Sequence, residues 1–473
     1  MSLLSESNRI YCIGLRGVGM TGLAQILKSQ GKEVWGSDTA EQFFTAKVLT
    51  RAGIECTDNF SAQHLEGRID LVIRSTAYNQ EHVEVKAALS RGLPVMTYPE
   101  ALGELTSQFK SVAVAGSHGK TTTTAMLAYV LKVAGLSPQA LVGSAVPQFE
   151  GNALIGSGEL FVFEADEYQN KLRYFSPQGV VLTSIDWDHP DFFPTKDDYA
   201  QAFVDFIKKI PVDGWLVACA DSAEVKQVVG QAGLKPEQIS TYGLTAGYWR
   251  MVRMWLDEGR WHFSLQEGDE FRGEFWLKLI GSHNVANALA VIAAARRLGV
   301  DLEVIRQALA SFEGTARRFE VKGKLTNGLT LVDDYGHHPA EITATLKAAR
   351  AFYPYKYIRC VFQPHTFSRT QALLPNFGVA FGEADEVIVL DTYASARESA
   401  SSQTGATAQE LTEEIKQHHP QVQFKSTIDE VAGYLTETAN RNQLIITMGA
   451  GDVWQVGEKL IAKFGLVSGG SDR

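Results

Sequence analysis

The residues best suited to chemistry are the run Gly116-Ser117-His118-Gly119-Lys120-Thr121-Thr122-Thr123-Thr124, directly behind the apolar stretch Ser111-Val112-Ala113-Val114-Ala115. A strand that stops at a glycine-rich bend and opens into a helix presents several backbone N–H groups, where the helix dipole favours phosphate. Lys120 adds a point charge for the β- and γ-phosphates, and the Thr121 hydroxyl is placed to ligate magnesium. The reading is ATP cradled by Gly116, Ser117, His118, Gly119, Lys120, Thr121 and Thr122. The usual spacing of this loop asks for glycine at position 114; Val114 stands there, which makes this a compact variant. A bare Gly-Lys-Thr is often only a turn before a surface lysine, but the strand before it and the threonines after it favour phosphate.

Glu164-Ala165-Asp166-Glu167 follows one apolar run, Leu160 to Phe163, and Asp186-Trp187-Asp188-His189 follows another, Val180 to Thr183. Carboxyl ends of strands in open α/β sheets face the ligand crevice, so both clusters are expected at the phosphate loop as partners for magnesium. Zinc is disfavoured, because His189 has no cysteine or second histidine at ligand spacing. Asn284, near the start of the Ala-rich stretch Asn284 to Leu298, suits either a helix cap or adenine. Arg317-Arg318-Phe319 could swing an arginine over a γ-phosphate. Asp333-Asp334-Tyr335-Gly336-His337-His338-Pro339 and Gln363-Pro364-His365-Thr366-Phe367-Ser368-Arg369 offer histidine and arginine for a small ligand with an amine and a carboxylate.

Near the N-terminus, Gly17-Val18-Gly19-Met20-Thr21-Gly22 spells a dinucleotide fingerprint, with Asp38 about 20 residues on. In a true fingerprint the first glycine follows the strand at once, and counted from Gly14 the second position holds Arg16. The longer turn suits a nucleotide-diphosphate-sugar better than NAD, with Asp38 placed for a ribose or base contact.

These loops need elements to hold them. Apolar runs of strand length alternate with helix-period segments almost throughout, the pattern of parallel sheets covered by helices, so the fold class is α/β. At 473 residues the chain exceeds one core, and about three domains of ~100 to 200 residues are expected. The predicted division is residues 1–108, Rossmann-like; 109–322, a central P-loop sheet; and 323–473, again Rossmann-like. Short aromatic strands, Trp249 to Leu256 and Arg260 to Leu265, predict an antiparallel edge on the central sheet, and Ser468 to Arg473 reads as a frayed tail. A net charge of -10 argues against a general nucleic-acid binder. Four scattered cysteines, no export signal and no run of ~18 apolar residues point to the cytoplasm and away from membranes.

Taken in order from Ile13 to about Asp452, these motifs resemble the Mur ligase family, and within it the alanine-adding branch. The set comprises the Gly14 to Met20 loop, G-S-H-G-K-T-T-T-T, E-A-D-E, D-H, G-x-H-N-x-x-N, R-R-F, D-D-Y-G-H-H-P, Q-P-H-T-F-S-R-T and Gly449-Ala450-Gly451-Asp452. The resemblance implies that ATP phosphorylates the lactyl carboxylate of UDP-N-acetylmuramate and that the amine of L-alanine attacks the acyl phosphate. Carried over by position, it implies Lys120, His189, Arg318 and His337 as catalytic residues. Thr121 and Glu164 would hold one magnesium and His189 a second, while Asn284, Arg318 and Asp334 contact ATP. Gly14, Arg16, Gly17, Gly19, Met20, Asp38, Ser75 and His118 would bind the UDP-sugar, and Tyr335, His337, His365 and Arg369 the amino acid. A monomer or weak homodimer is expected, without nucleic acid or membrane.

Two positions depart from the family pattern: Arg16 replaces a common glycine, and Thr366 stands where some alanine-adding members have arginine. Phe203 occupies the place of the carbamoylated lysine of later-acting sister ligases, as in the alanine-adding branch. The nearest rival reading is a ligase that recycles murein peptides, disfavoured by the motifs of the third domain. A dehydrogenase with tandem Rossmann units would leave the phosphate loop without a task.

Overall fold

The computed structural model describes residues 2–41, 44–393 and 405–467. The chain builds three sheets in succession, each covered by helices, which is the α/β architecture its alternation predicts. The first sheet has five parallel strands, in spatial order Cys56–Thr57, Glu33–Ser37, Arg9–Ile13, Leu71–Arg74 and Val95–Thr97. The third has six, in the order Glu320–Lys324, Thr330–Asp334, Gln443–Met448, Tyr357–Phe362, Glu386–Leu390 and Val422–Lys425, parallel except for the first.

The ten-stranded central sheet positions most of the chemistry. Lys110–Ala115 lies between Gly179–Leu182 and Leu160–Glu164, parallel to both. Val112, Ala113, Val114, Val162 and Val181 are buried, as expected of strands covered on both faces. Three neighbouring carboxyl ends therefore deliver the phosphate loop, the Glu164 cluster and the Asp186 cluster to one rim. The predicted antiparallel edge is present: Trp249–Asp257, Arg260–Glu267 and Glu270–Leu277 pair antiparallel in turn.

The first unit is fastened to the second through its helix Val18–Ser29. Asn152 donates to the Val18 carbonyl at 2.7 Å, and a Cβ on Gly22 would lie 2.8 Å from the Asn152 amide, so this approach needs glycine. Two sequence expectations change. Glu320–Lys324 pairs antiparallel with Thr330–Asp334, so the chain enters the third sheet at Glu320, and a division between 322 and 323 would cut a strand. Gly281, and not Asn284, is the N-cap of the Ala-rich helix Ser282–Arg297. The expected tail, 468–473, lies outside the described residues. Among the described residues no helix is long and apolar enough to cross a membrane.

Candidate active site

The helix Lys120–Val133 opens on Gly119, whose φ of 79° is left-handed. A Cβ there would lie 2.6 Å from Asn287 Oδ1, so the loop needs glycine both for its dihedral and for the approach of the Ser282–Arg297 helix. Thr183 locks the bend from the neighbouring strand, its hydroxyl donating to the His118 carbonyl at 2.6 Å. Lys120 Nζ curls back over the loop, donating to the carbonyls of Gly116 at 2.5 Å and Ser117 at 3.0 Å and pairing with Glu167 at 3.0 Å. Glu167 is buried and also accepts from Tyr199 at 3.0 Å. Ser117 and Thr121 line the cleft beside Lys120.

Thr121 Oγ1 donates to Glu164 at 2.9 Å, and Glu164 also accepts the Gly143 N–H at 3.0 Å. Burial pushes the Glu164 carboxyl above its usual range, although Lys120 and Arg318 pull the other way. The expected metal set divides here: Thr121 and Glu164 touch, whereas His189 converges with Asp166 and Glu167, one ligand atom from each lying within 4.8 Å of the others. Hydroxyl and carboxylate oxygens beside a phosphate loop are the donor chemistry that magnesium accepts, so Thr121, Glu164, Asp166 and Glu167 fit the ion, with the His189 imidazole a nitrogen donor beside them.

His118 was expected to contact nucleotide or sugar, and its ring is engaged elsewhere. Nε2 lies 3.2 Å from Asp186 and Nδ1 3.2 Å from Glu341 of the third unit. Burial opposes its charge, but the two carboxylates outweigh it and hold the imidazole up at about 9. Asn284 is buried and donates to the Ile280 carbonyl at 2.8 Å, and it is not part of the cleft wall. Asp334 likewise lies outside that wall, its carboxylate accepting N–H groups of Phe319 and Gly336, both at 2.7 Å. Burial raises Asp334 to about 6. Its observed work is to fasten the Arg317-Arg318-Phe319 linker, in which Arg317 and Phe319 both have positive φ.

Arg317 is tied down by Asp333 at 2.9 Å and the Gly449 carbonyl at 2.7 Å, while Arg318 faces the cleft, its guanidinium 5.1 Å from the Tyr335 ring. His337 accompanies them. Burial lowers it to about 4, leaving it neutral, and its Nδ1 lies 3.1 Å from the Tyr335 carbonyl. An Nδ1–H donated there leaves Nε2 as an acceptor. Arg369 does not stand open for a ligand carboxylate: it is buried and grips Asp188 through two bonds, 2.8 and 3.2 Å, with His365 beside it. Asp188 is thereby held well below the usual carboxylate range, Arg369 and His189 overcoming its burial.

The first unit gathers its expected residues into one cluster at the ends of three strands. Gly14 has φ 81°, and a Cβ there would lie 2.6 Å from Tyr78 and 2.9 Å from Ser75. Asp38 accepts the Arg16 N–H and the Thr39 N–H, both at 2.7 Å, so its oxygens brace the loop before any ribose arrives. The Arg16 side chain is buried and paired with Asp58 and the Thr39 carbonyl. Gly17 caps the helix Val18–Ser29, with Gly19 against Tyr98 and Met20 buried.

All three units face a cleft of about 1050 Å³, whose wall includes Val18 and Lys47 of the first, Lys120 and His189 of the second, and Tyr335 and Arg369 of the third. Sequence reasoning overlooked Glu341 and the inward role of Asp188. Asp188 stands in the D-H motif, but no motif names its partner, because Asp188 and Glu341 each act through a residue more than a hundred positions away in the chain.

Residues 9–110 match the Mur ligase family catalytic domain, 114–295 the Mur ligase middle domain, and 317–451 the Mur ligase glutamate ligase domain. A UDP-N-acetylmuramate–L-alanine ligase of Desulfitobacterium hafniense (strain Y51) is 40% identical over 455 residues, covering 96% of this chain and 99% of that one. The crystal structure of a UDP-N-acetylmuramate-alanine ligase from Thermotoga maritima aligns with TM-score 0.81 at 26% identity, over 96% of this chain and 98% of that one. A murein peptide ligase from Psychrobacter arcticus shares the fold, with TM-score 0.72 at 24% identity over 97% and 99%. Three units matched in sequence order, and a close relative aligned from end to end around one phosphate-loop cleft, place the chain in the Mur ligase family.

Proposed function

We propose that this chain joins L-alanine to the lactyl carboxylate of UDP-N-acetylmuramate, spending ATP and passing through an acyl phosphate. It is an ADP-forming ligase acting in peptidoglycan precursor synthesis. The observation that supports this reading best is the convergence of the Lys120 loop, the Arg318 linker and the His337 and Arg369 loops on one cleft. Transfer of a γ-phosphate to a carboxylate spreads negative charge, which Lys120 and Arg318 on the cleft wall would neutralise once Lys120 leaves the Gly116 and Ser117 carbonyls for phosphate. Magnesium held by Thr121 and Glu164, with His189 at a second position, supplies further neutralisation when bound. Neutral His337 offers an acceptor for the proton that leaves the attacking amine. The UDP-sugar lies along the Gly14 to Met20 loop, and Tyr335, His365 and Arg369 enclose the amino acid. The enzyme works in the cytoplasm as a monomer or weak homodimer, without nucleic acid or membrane. Coupled measurement of ADP release tests the reading. Release should require both UDP-N-acetylmuramate and a free amino acid, with L-alanine preferred; release driven by peptides in place of L-alanine would assign a recycling ligase instead.

A further inference from the structure

Glu341 sits in the first turn of the helix Pro339–Phe352 and is almost enclosed, with 13% of its side chain exposed. One carboxylate oxygen works inside the third unit, accepting the N–H groups of His337 at 2.9 Å and His338 at 3.3 Å. The other reaches out of it, 3.2 Å from His118 Nδ1 in the phosphate loop and 3.7 Å from Arg318 Nη1 in the linker. His118 is held on its far side by Asp186, and the His338 ring lies 4.8 Å from it. Burial opposes its charge, but His118 and Arg318 beside it help to hold the carboxyl well below its usual range.

From this geometry we propose that Glu341 is a positioning residue: it docks the third unit onto the phosphate loop, aligning Arg318 with Lys120 only while the two units are joined. Its hydrogen bonds to His337 and His338 make the carboxylate a rigid post and not a mobile surface acid. Its outward oxygen finds a phosphate-loop cation whose own backbone is locked by Thr183 and Ser184. A shift of the third unit would therefore be felt at the loop and at Arg318 together. The inference rests on the ligase reading of the same cleft.

The test compares the full-length enzyme with Glu341→Gln, which preserves shape and an acceptor for the helix cap but removes the charge. Wild-type ADP release that depends on both co-substrates is established first, so failure of the ligase reading is seen there, before any variant. The expected result for Glu341→Gln is a fall in kcat of at least tenfold, with KM for ATP and for L-alanine each within about threefold of wild type. In a double-mutant cycle with His118→Gln, the pair should lose little more than the worse single variant, because each acts through the other. An unchanged kcat would overturn the proposal, and so would fully additive losses. A rise confined to KM for L-alanine would do so too, since it would make Glu341 a direct ligand of the amino acid. Should Glu341→Gln fail to fold, the same cycle with Arg318→Lys and Glu341→Asp, read as kcat coupling, decides the matter: independent losses overturn it.

Discussion

At the scale of single residues, the cations of the cleft come with internal partners, which changes what their removal should do. Lys120, proposed to meet phosphate, also neutralises the buried Glu167. Lys120→Ala should lower ADP release by about a hundredfold or more. It should also lower the thermal midpoint, because stripping one partner from a buried ion pair costs ~3 to 5 kcal/mol. Adding Glu167→Gln should recover the midpoint but not the activity; a double variant regaining ADP release would remove Lys120 from the chemistry. Arg369 is committed to Asp188 in the same way. Arg369→Ala should raise the L-alanine concentration for half-saturation at least tenfold, roughly 1.4 kcal/mol, and reduce stability as well. Lysine at that position should restore part of each, since it cannot form the paired bonds of a guanidinium. Normal L-alanine saturation in Arg369→Ala would show that the Asp188–Arg369 pair does not shape the amino-acid site.

Among the elements, the strand-to-helix bend at Gly119 carries the sharpest demand. Its positive φ and the Asn287 amide 2.6 Å from any added Cβ act together, so Gly119→Ala should both strain the bend and push the Ser282–Arg297 helix away. A loss of ~1 to 3 kcal/mol is expected from the backbone alone. Denaturant unfolding and ATP-binding titration should move together, and retention of wild-type ATP affinity would show that the loop tolerates the shift. The central sheet also explains why two acidic clusters, distant in sequence, share the rim. Strand Lys110–Ala115 is inserted between the two strands that carry them. Strand-end position was legible from the apolar runs; which cluster meets which partner was not, because strand order is a long-range property.

For the whole molecule, the contact between second and third units should be visible in its pH dependence. His118 titrates at about 9 in the folded protein against 6.5 for an ordinary imidazole, held up by Asp186 and Glu341 against burial. The folded state binds the proton more tightly, so this stabilisation is fully present below pH 6.5 and is lost as pH rises through 9. The difference in unfolding free energy between wild type and His118→Gln should accordingly shrink between pH 6.5 and 9.5, by about 2 to 4 kcal/mol. A difference that stays constant over that window would mean that His118 is not charged in the fold.

The α/β class, the phosphate loop behind its strand, the acidic clusters at strand ends and the antiparallel edge were all readable from local patterns, because propensity, period and turn chemistry act over a few residues. Identity of motif and order along the chain also sufficed to mark the family. Tertiary structure alone decided the partners. Asp38 braces Arg16 and Thr39, Asp334 fastens the linker, Asp188 holds Arg369, and Glu341 reaches His118 from another sheet. The reason is physical: a side chain's type limits the bonds it can make, but which bond it does make depends on the groups that folding brings within about 3 Å, and those groups come from elsewhere in the chain.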